Sequence, residues 1–323
     1  MLEFLSSFIA ALVGFFSLGA APLAAEAPIP HIFAPIPQAH IVFGGDMMFD
    51  RSVRTTMEEK GDDFVFSCIT PLLGKADLVV ANLEGPITEF ASKSIGSKPG
   101  GENNFTFTFA TSTASLLARH NIRLVHLGNN HIMNFGRDGL VQTKAFLNAA
   151  GVGYFGDPDA PESDRVARLE MKGIPVSFIN YNEFAPSAGD MIYHITGAVR
   201  AERDAGRIVF VYTHWGEEYV PPPERVKILA RQFVDAGADM VIGSHPHIVQ
   251  EREYYHDRYI YYSLGNFIFD QYWDEKVMSG LLLEVAFTPH GVEWVQEIPV
   301  ELGRDRRTCV STQTGITATS SAQ

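Results

Sequence analysis

The chain is short of cysteine: among 323 residues only Cys68 and Cys309 occur, far apart, and neither sits in a C-x-x-C pair or beside a histidine cluster. That excludes a thiolate metal site, a thioredoxin-like redox motif and a disulfide-dense scaffold. Whether the two bridge is left open by their spacing. A chain of this length builds a sufficient core without disulfides, so scarcity of cysteine does not argue against an oxidising compartment. Basic residues are also scarce. Lys and Arg number 25 against 38 Asp and Glu, a formal net charge of −13, and no basic run is long enough to follow a phosphate backbone. Nucleic acid is therefore not an expected partner, and an anionic substrate must be drawn by a local positive centre, such as a bound metal. No repeat with a period of about 20–50 residues is visible, which excludes solenoids and propellers. With 46% hydrophobic and 20% charged residues, the composition is that of a globular chain.

Long apolar runs are confined to the N-terminus. No charge occurs from Phe4 to Ala25, and the run ends at Ala25-Glu26-Ala27, a small-x-small cleavage pattern, so residues 1–27 are expected to be an export signal. The basic segment that normally precedes such a run is missing, since the first basic residue is Arg51. At about 1.5 Å per residue the stretch is also long enough to span a bilayer, so an uncleaved N-terminal anchor is the second reading. Both put the body outside the cytoplasmic membrane, periplasmic or extracellular. Residues 28–38, with Pro28, Pro30, Pro35 and Pro37, read as a semi-rigid spacer. The folded domain is expected over 39–310, and the small, polar residues 311–323 read as a disordered tail.

Within the body, β-branched apolar runs alternate with amphipathic stretches. Strands are predicted at His40–Gly45, Asp77–Ala81, Ile122–Leu127, Ile174–Ile179, Arg207–Tyr212 and Asp239–Ile242, and helices at Arg137–Ala150 and Glu224–Ala236. After Val249 successive strand-like runs, including Arg258–Ser263 and Leu281–Phe287, point to a more antiparallel part. The fold class is α/β in a single large domain with mixed sheets.

Polar residues cluster just beyond the predicted strands. Asp46 follows the first, where Gly44 and Gly45 are expected to turn the backbone sharply; Asn82 and Glu84 follow the second, Asn129, Asn130 and His131 the third. His214 follows a later strand, and His245 and His247 the next, in Gly-Ser-His-Pro-His. Singly, most of these are as easily turn or capping residues. Together they are oxygen and imidazole donors at the ends of five strands, where ligands bind in open α/β sheets. Two histidines flanking one proline can reach a common centre from an extended turn. The donor set, without thiolate, suits one or two divalent ions of Mn, Zn or Fe. Glu217 and Glu218, next to His214, are candidates for orienting a ligand from behind.

At these residues the chain resembles the CapA family of poly-γ-glutamate capsule biosynthesis proteins, which have a calcineurin-like metallophosphoesterase fold. The resemblance runs from about Ala39 to Phe287 and rests on Gly45-Asp46-Met47-Met48, Ala81-Asn82-Leu83-Glu84-Gly85-Pro86, Asn129-Asn130-His131, His214-Trp215-Gly216-Glu217-Glu218-Tyr219, Gly243-Ser244-His245-Pro246-His247 and Tyr262-Ser263-Leu264-Gly265-Asn266-Phe267. It implies a four-layer α/β/β/α sandwich and an envelope protein that handles an anionic polymer or a related small anionic substrate, as a hydrolase or as a non-catalytic part of a membrane polymer synthase. It also implies Asp46 and His247 on a first metal, Asn130, His214 and His245 on a second, and His131 as the group that protonates the leaving group or steadies developing charge. The bridging role falls to Asn82 or Glu84, with Glu84 favoured because a bridge needs a charged carboxylate. Met48 stands where phosphoesterases carry a histidine and Ile132 where an acid follows the catalytic histidine, so the first metal site is expected to be the weaker.

Overall fold

A computed structural model describes residues 35–158, 166–185 and 188–312. The expected export segment 1–27, the first part of the spacer and nearly all of the expected tail lie outside the described residues. In chain order the elements are β1 (Ala39–Met47), α1 (Arg51–Lys60), α2 (Thr70–Leu73), β2 (Leu78–Leu83), α3 (Thr113–Arg119), β3 (Ile122–His126), α4 (Gly136–Ala149), β4 (Gly153–Phe155), β5 (Val166–Met171), β6 (Ile174–Asn182), α5 (Ala188–Asp204), β7 (Ile208–His214), α6 (Glu224–Asp235), β8 (Met240–Ser244), β9 (Arg252–Tyr255), β10 (Arg258–Tyr261), β11 (Asn266–Ile268), β12 (Ser279–Thr288), β13 (Gly291–Leu302) and β14 (Thr308–Val310). Among the described residues no helix is long and apolar enough to cross a membrane.

One sheet runs β14-β13-β12-β1-β2-β3-β4, with β11 also paired to β1; the other runs β5-β6-β7-β8-β10-β9. Both mix parallel and antiparallel pairs. Period-two alternation decides where each side chain goes. On β1, Ile41 and Phe43 enter a core shared with Phe178, Phe210, Tyr212, Met240 and Ile242 of the second sheet. Val42, on the opposite face, joins Val53, Leu117, Leu140 and Leu147 of the helices. Val209, Val211 and Val241 face outward and pack with Ile195, Val199, Leu229 and Phe233 of α5 and α6. Three apolar cores separating four layers give the α/β/β/α sandwich expected from the family resemblance. α4 and α6 lie within a residue of their predicted ends.

The first strand departs from expectation. Gly44 and Gly45 do not turn the chain; β1 continues through Asp46 to Met47. The reason for glycine is contact: β11 pairs in parallel with β1 at Asp46 and Asn266, and a Cβ on Gly45 would stand 1.9 Å from the Gly265 carbonyl oxygen. Gly45→Ala therefore has to push two strands apart. A loss of about 3 kcal/mol or more is expected, read from the urea midpoint.

Cys68 and Cys309 form a disulfide, with Cα atoms 4.9 Å apart across a sequence separation of 241 residues. It ties β14 to the loop after the Asp62–Phe66 turn of 3-10 helix. Closing so long a loop lowers the entropy of the unfolded chain, so the double substitution Cys68→Ser/Cys309→Ser is expected to cost about 2–4 kcal/mol in urea unfolding with the slope little changed.

Candidate metal centre

The carboxyl ends of β1, β2 and β3 in one sheet and of β7 and β8 in the other meet at one place. Asp46, Glu84 and His247, all buried, each offer a ligand atom within 4.8 Å of the others. His247 Nδ1 is 3.4 Å from Asp46 Oδ2, and its Nε2 is 3.5 Å from Glu84 Oε1. The His245 amide donates to Asp46 Oδ2 at 3.1 Å. His214 Nε2 stands 2.9 Å from Asn130 Oδ1, and the His214 and His245 rings are 4.8 Å apart. His131 Nε2 lies 3.9 Å from Glu84 Oε1. The structure thus gathers Asp46, Asn82, Glu84, Asn130, His131, His214, His245 and His247 around one centre.

The surrounding amides settle which atoms carry protons. The Asn129 carbonyl accepts from the amides of His131 and Ile132, at 3.0 and 2.9 Å, so its nitrogen donates to Asn82 Oδ1 at 3.0 Å. Asn82 Nδ2 must then face the two acids, 2.8 Å from Asp46 Oδ1 and 3.4 Å from Glu84 Oε2. It is a donor holding both carboxylates, and Glu84 is the group that reaches His247. Asn266 Nδ2 donates to the carbonyls of His247 and Val277 and to Gln271 Oε1, which leaves its oxygen to accept from His247 Nδ1 at 3.0 Å. The Asn134 oxygen accepts from the Phe107 amide and from His131 Nδ1. The Ser244 hydroxyl donates to the Thr213 carbonyl at 2.7 Å and lies 3.0 Å from His214 Nδ1. His247 and His131 are thereby fixed with a bare Nε2, while His214 lies between Asn82 Nδ2, 3.4 Å from its Nδ1, and Asn130 Oδ1 at its Nε2. Both bare nitrogens face Glu84 Oε1, His247 at 3.5 Å and His131 at 3.9 Å.

Ionised, Glu84 faces two bare nitrogens with no proton between them, an arrangement that a cation satisfies. Glu84 Oε1 and His245 Nδ1 are buried and have no hydrogen-bond partner in this structure. A buried orphan of this kind costs about 1–3 kcal/mol. Carboxylate, amide oxygen and imidazole nitrogen together suit a divalent ion of Mn, Zn or Fe, and an acceptor that holds the other ring N–H, here an asparagine oxygen on His247 and His131, fixes which nitrogen faces the ion. The residues present therefore fit a cation.

Burial and the Asp46 charge push the Glu84 carboxyl well above the usual carboxylate range. Burial works in the same direction on Asp46, but the His247 imidazole and hydrogen bonds from Asn82 and the His245 amide outweigh it and hold Asp46 below its ordinary value. Burial lowers His131 to about 4 and, with neighbouring imidazoles, His245 to about 3 and His214 far below its usual value. These rings are neutral at pH 7 and have no proton to lose before binding a metal.

Three expectations need correction. The His245-Pro246-His247 segment is not extended: His245 and His247 have φ of 98° and 55°, left-handed values that strain a non-glycine residue, and this twist delivers both rings to one centre. Glu217 does not orient His214; it is an exposed residue 3.6 Å from Arg225, and Ser244 and Asn130 hold the imidazole instead. His126, read as an ordinary core or surface residue, is buried beside the centre, with Nδ1 3.3 Å from Asn82 Oδ1 and Nε2 2.6 Å from Asn180 Oδ1. Sequence reasoning also missed Asn266, Asn134 and Ser244 as supports. The only signal for any of them is a polar residue in an otherwise apolar run.

Met48, at the position of the missing histidine, is packed in the core with Sδ 3.0 Å from the Asp50 amide, and Ile132 is likewise buried.

Comparison with known proteins covers the whole of this centre. The family model for bacterial capsule synthesis protein PGA_cap matches residues 40–271. The chain is 28% identical over 282 residues to the PGA biosynthesis protein CapA of Bacillus subtilis, a match covering 80% of this chain and 70% of that protein. It is 26% identical over 275 residues to the capsule biosynthesis protein CapA of Bacillus anthracis, covering 80% and 66%. A probable polyglutamine synthesis accessory protein of Mycobacterium tuberculosis is 30% identical over 169 residues, covering 45% and 44%. The family match takes in well over half of the chain and every candidate ligand from Asp46 to His247, and so the chain belongs to the bacterial capsule synthesis protein family, PGA_cap.

Proposed function

We propose that this protein is a metal-dependent hydrolase of the bacterial envelope that acts on a γ-glutamyl polymer or a related anionic substrate. The observation that carries the reading is the buried Asp46–Glu84–His247 group with its orphaned Glu84 oxygen, a costly arrangement that nothing in the fold requires. Asp46, Glu84 and His247 would hold one ion, and Asn130, His214 and His245 a second. A divalent cation at such a centre supplies Lewis acidity toward a carbonyl or phosphoryl oxygen and makes water a better nucleophile. His131, neutral and anchored through Nδ1 by Asn134, can accept a proton at Nε2 and return it to the leaving group, a contribution of about 10²- to 10⁴-fold. The relatives' names tie the family to capsule and polyglutamate synthesis, and the Cys68–Cys309 disulfide suits an oxidising compartment, in line with an export segment at residues 1–27.

A second reading, a non-catalytic subunit of a membrane polymer synthase, draws on Met48, a buried thioether where phosphoesterases place a histidine ligand. Metal analysis and turnover separate the two. Purified wild type is expected to carry Mn, Zn or Fe and to cleave γ-glutamyl polymer or a chromogenic phosphodiester, and His245→Ala to lose at least about 10²-fold in rate. Metal without turnover on either substrate would favour the synthase subunit; wild type devoid of metal would end the catalytic reading.

A further inference from the structure

Arg51 has no part in the arrangement described so far, yet it is built into its wall. It opens α1 with φ of 49°, a strained value for a non-glycine residue, and Asp50 holds that backbone by accepting from the Arg51 and Thr108 amides and the Ser92 hydroxyl. Its guanidinium carbon is 5.1 Å from the Phe107 ring centroid and 5.5 Å from that of Phe269. Those two rings pack on the centre: Phe107 is 4.5 Å from the His131 ring and Phe269 is 4.8 Å from the His247 ring. The side chain is only 14% exposed, and its charge is felt at both Glu84 and His131.

Its hydrogen bonds are incomplete. Nη2 donates to Asp270 Oδ1 at 2.5 Å, while Nε is buried without a partner and Nη1 has none among the described residues. The other Asp270 oxygen, Oδ2, accepts from the amide and hydroxyl of Ser52, at 3.2 and 2.7 Å. A buried arginine kept only to brace the fold has its donors paired. This one leaves Nε buried and unpaired and Nη1 open beside a group of carboxylates, in a protein of net charge −13.

We propose that Arg51 is the anion-docking residue of this centre, turning its open Nη1 edge to a carboxylate or phosphate of the bound substrate. The planar fork matches either oxyanion, and the two phenylalanine faces restrict its approach. The inference rests on the reading of the centre as a substrate site, but its test does not depend on turnover.

The experiment is calorimetric titration of full-length protein, equilibrated with Mn²⁺, with two probes: a γ-linked glutamate oligomer and inorganic phosphate. Arg51→Met keeps the apolar stem, and Arg51→Lys keeps the charge without the fork. Binding of at least one probe by wild type is expected, weakened about 10- to 100-fold in Arg51→Met and less in Arg51→Lys, with Mn²⁺ affinity unchanged in both. The probe that shows the loss identifies the source of the oxyanion. Equal affinity in wild type and Arg51→Met overturns the proposal, as does parallel loss of Mn²⁺, which would make Arg51 a support for the metal residues. If Arg51→Met does not fold, Arg51→Lys decides: unaltered affinity for the probe overturns the proposal and weakened affinity with intact Mn²⁺ uptake upholds it. Failure of wild type to bind either probe also sinks it, even if Mn²⁺ is held. Arg51-dependent binding of a probe by protein that takes up no Mn²⁺ sustains the inference while removing the metal reading.

Discussion

Glu84→Gln is expected to weaken metal binding by more than about 100-fold and, in the same protein, to raise the melting temperature of the metal-free form at pH 8. Loss of a direct ligand should exceed the 10- to 100-fold cost usual for residues one step removed from a metal. The stability effect has the opposite sign because Glu84 is fully buried, has an orphaned Oε1 and lies close to Asp46. Burial and the Asp46 charge raise its folded pKa, so its contribution to stability is present below the unfolded value near 4.5 and is lost as pH rises through the folded one. A neutral amide removes that dependence. It can also donate to the bare Nε2 of His247, now 3.5 Å from Glu84 Oε1, while its carbonyl accepts from Asn82. Metal uptake by calorimetry and melting in EDTA give the two readouts. A metal-free Glu84→Gln protein that melts below wild type at pH 8 would mean that the carboxylate serves the fold rather than a cation.

How much of this could be read from the chain depends on how far each signal travels. Apolar runs such as Ile41-Val42-Phe43 and Val209-Phe210-Val211 are local signals that mark the strands, while which face each side chain takes appears only with the partners in place. Asp46, Asn130, His131, His214, His245 and His247 were legible because each closes or follows an apolar strand, where a polar side chain has no role in the core. Asn266 was not, because its importance comes from β11, a strand of three residues that pairs with β1 across more than half of the chain. The same pairing explains why Gly45 was taken for a turn: the atom that forbids a side chain there belongs to Gly265. His126 is the last residue of β3, where an imidazole looks like any half-buried histidine until Asn82 and Asn180 are placed on its two nitrogens. The disulfide left no local trace at all, since its two cysteines come together only once β14 has closed the edge of the first sheet.

Acid should unmake the metal-free protein early, and His126 isolates the cause because it offers no ligand to the centre. Burial drives its folded pKa from 6.5 down to about 4, outweighing the Asn180 hydrogen bond and the nearby Asp46 charge. For a base depressed in the fold, the stabilising contribution is complete above the unfolded value and is lost as pH falls through the window between about 6.5 and 4. Keeping this ring neutral across that window amounts to on the order of 3 kcal/mol. His131, His245 and His214 are lowered in the same direction and add to the same limb. Protonation of the raised Glu84 carboxyl opposes this limb, but four depressed imidazoles outweigh it, so stability of EDTA-treated protein is expected to fall between pH 6.5 and about 4 in urea unfolding at fixed ionic strength, and saturating metal should shift the fall to lower pH because protons and cation compete for the same nitrogens. A flat profile over that range would mean that the imidazoles are already solvated or charged. A decline that metal does not displace would separate the acid lability of the core from the centre, leaving His126 responsible and His214 and His245 uninvolved in holding a cation.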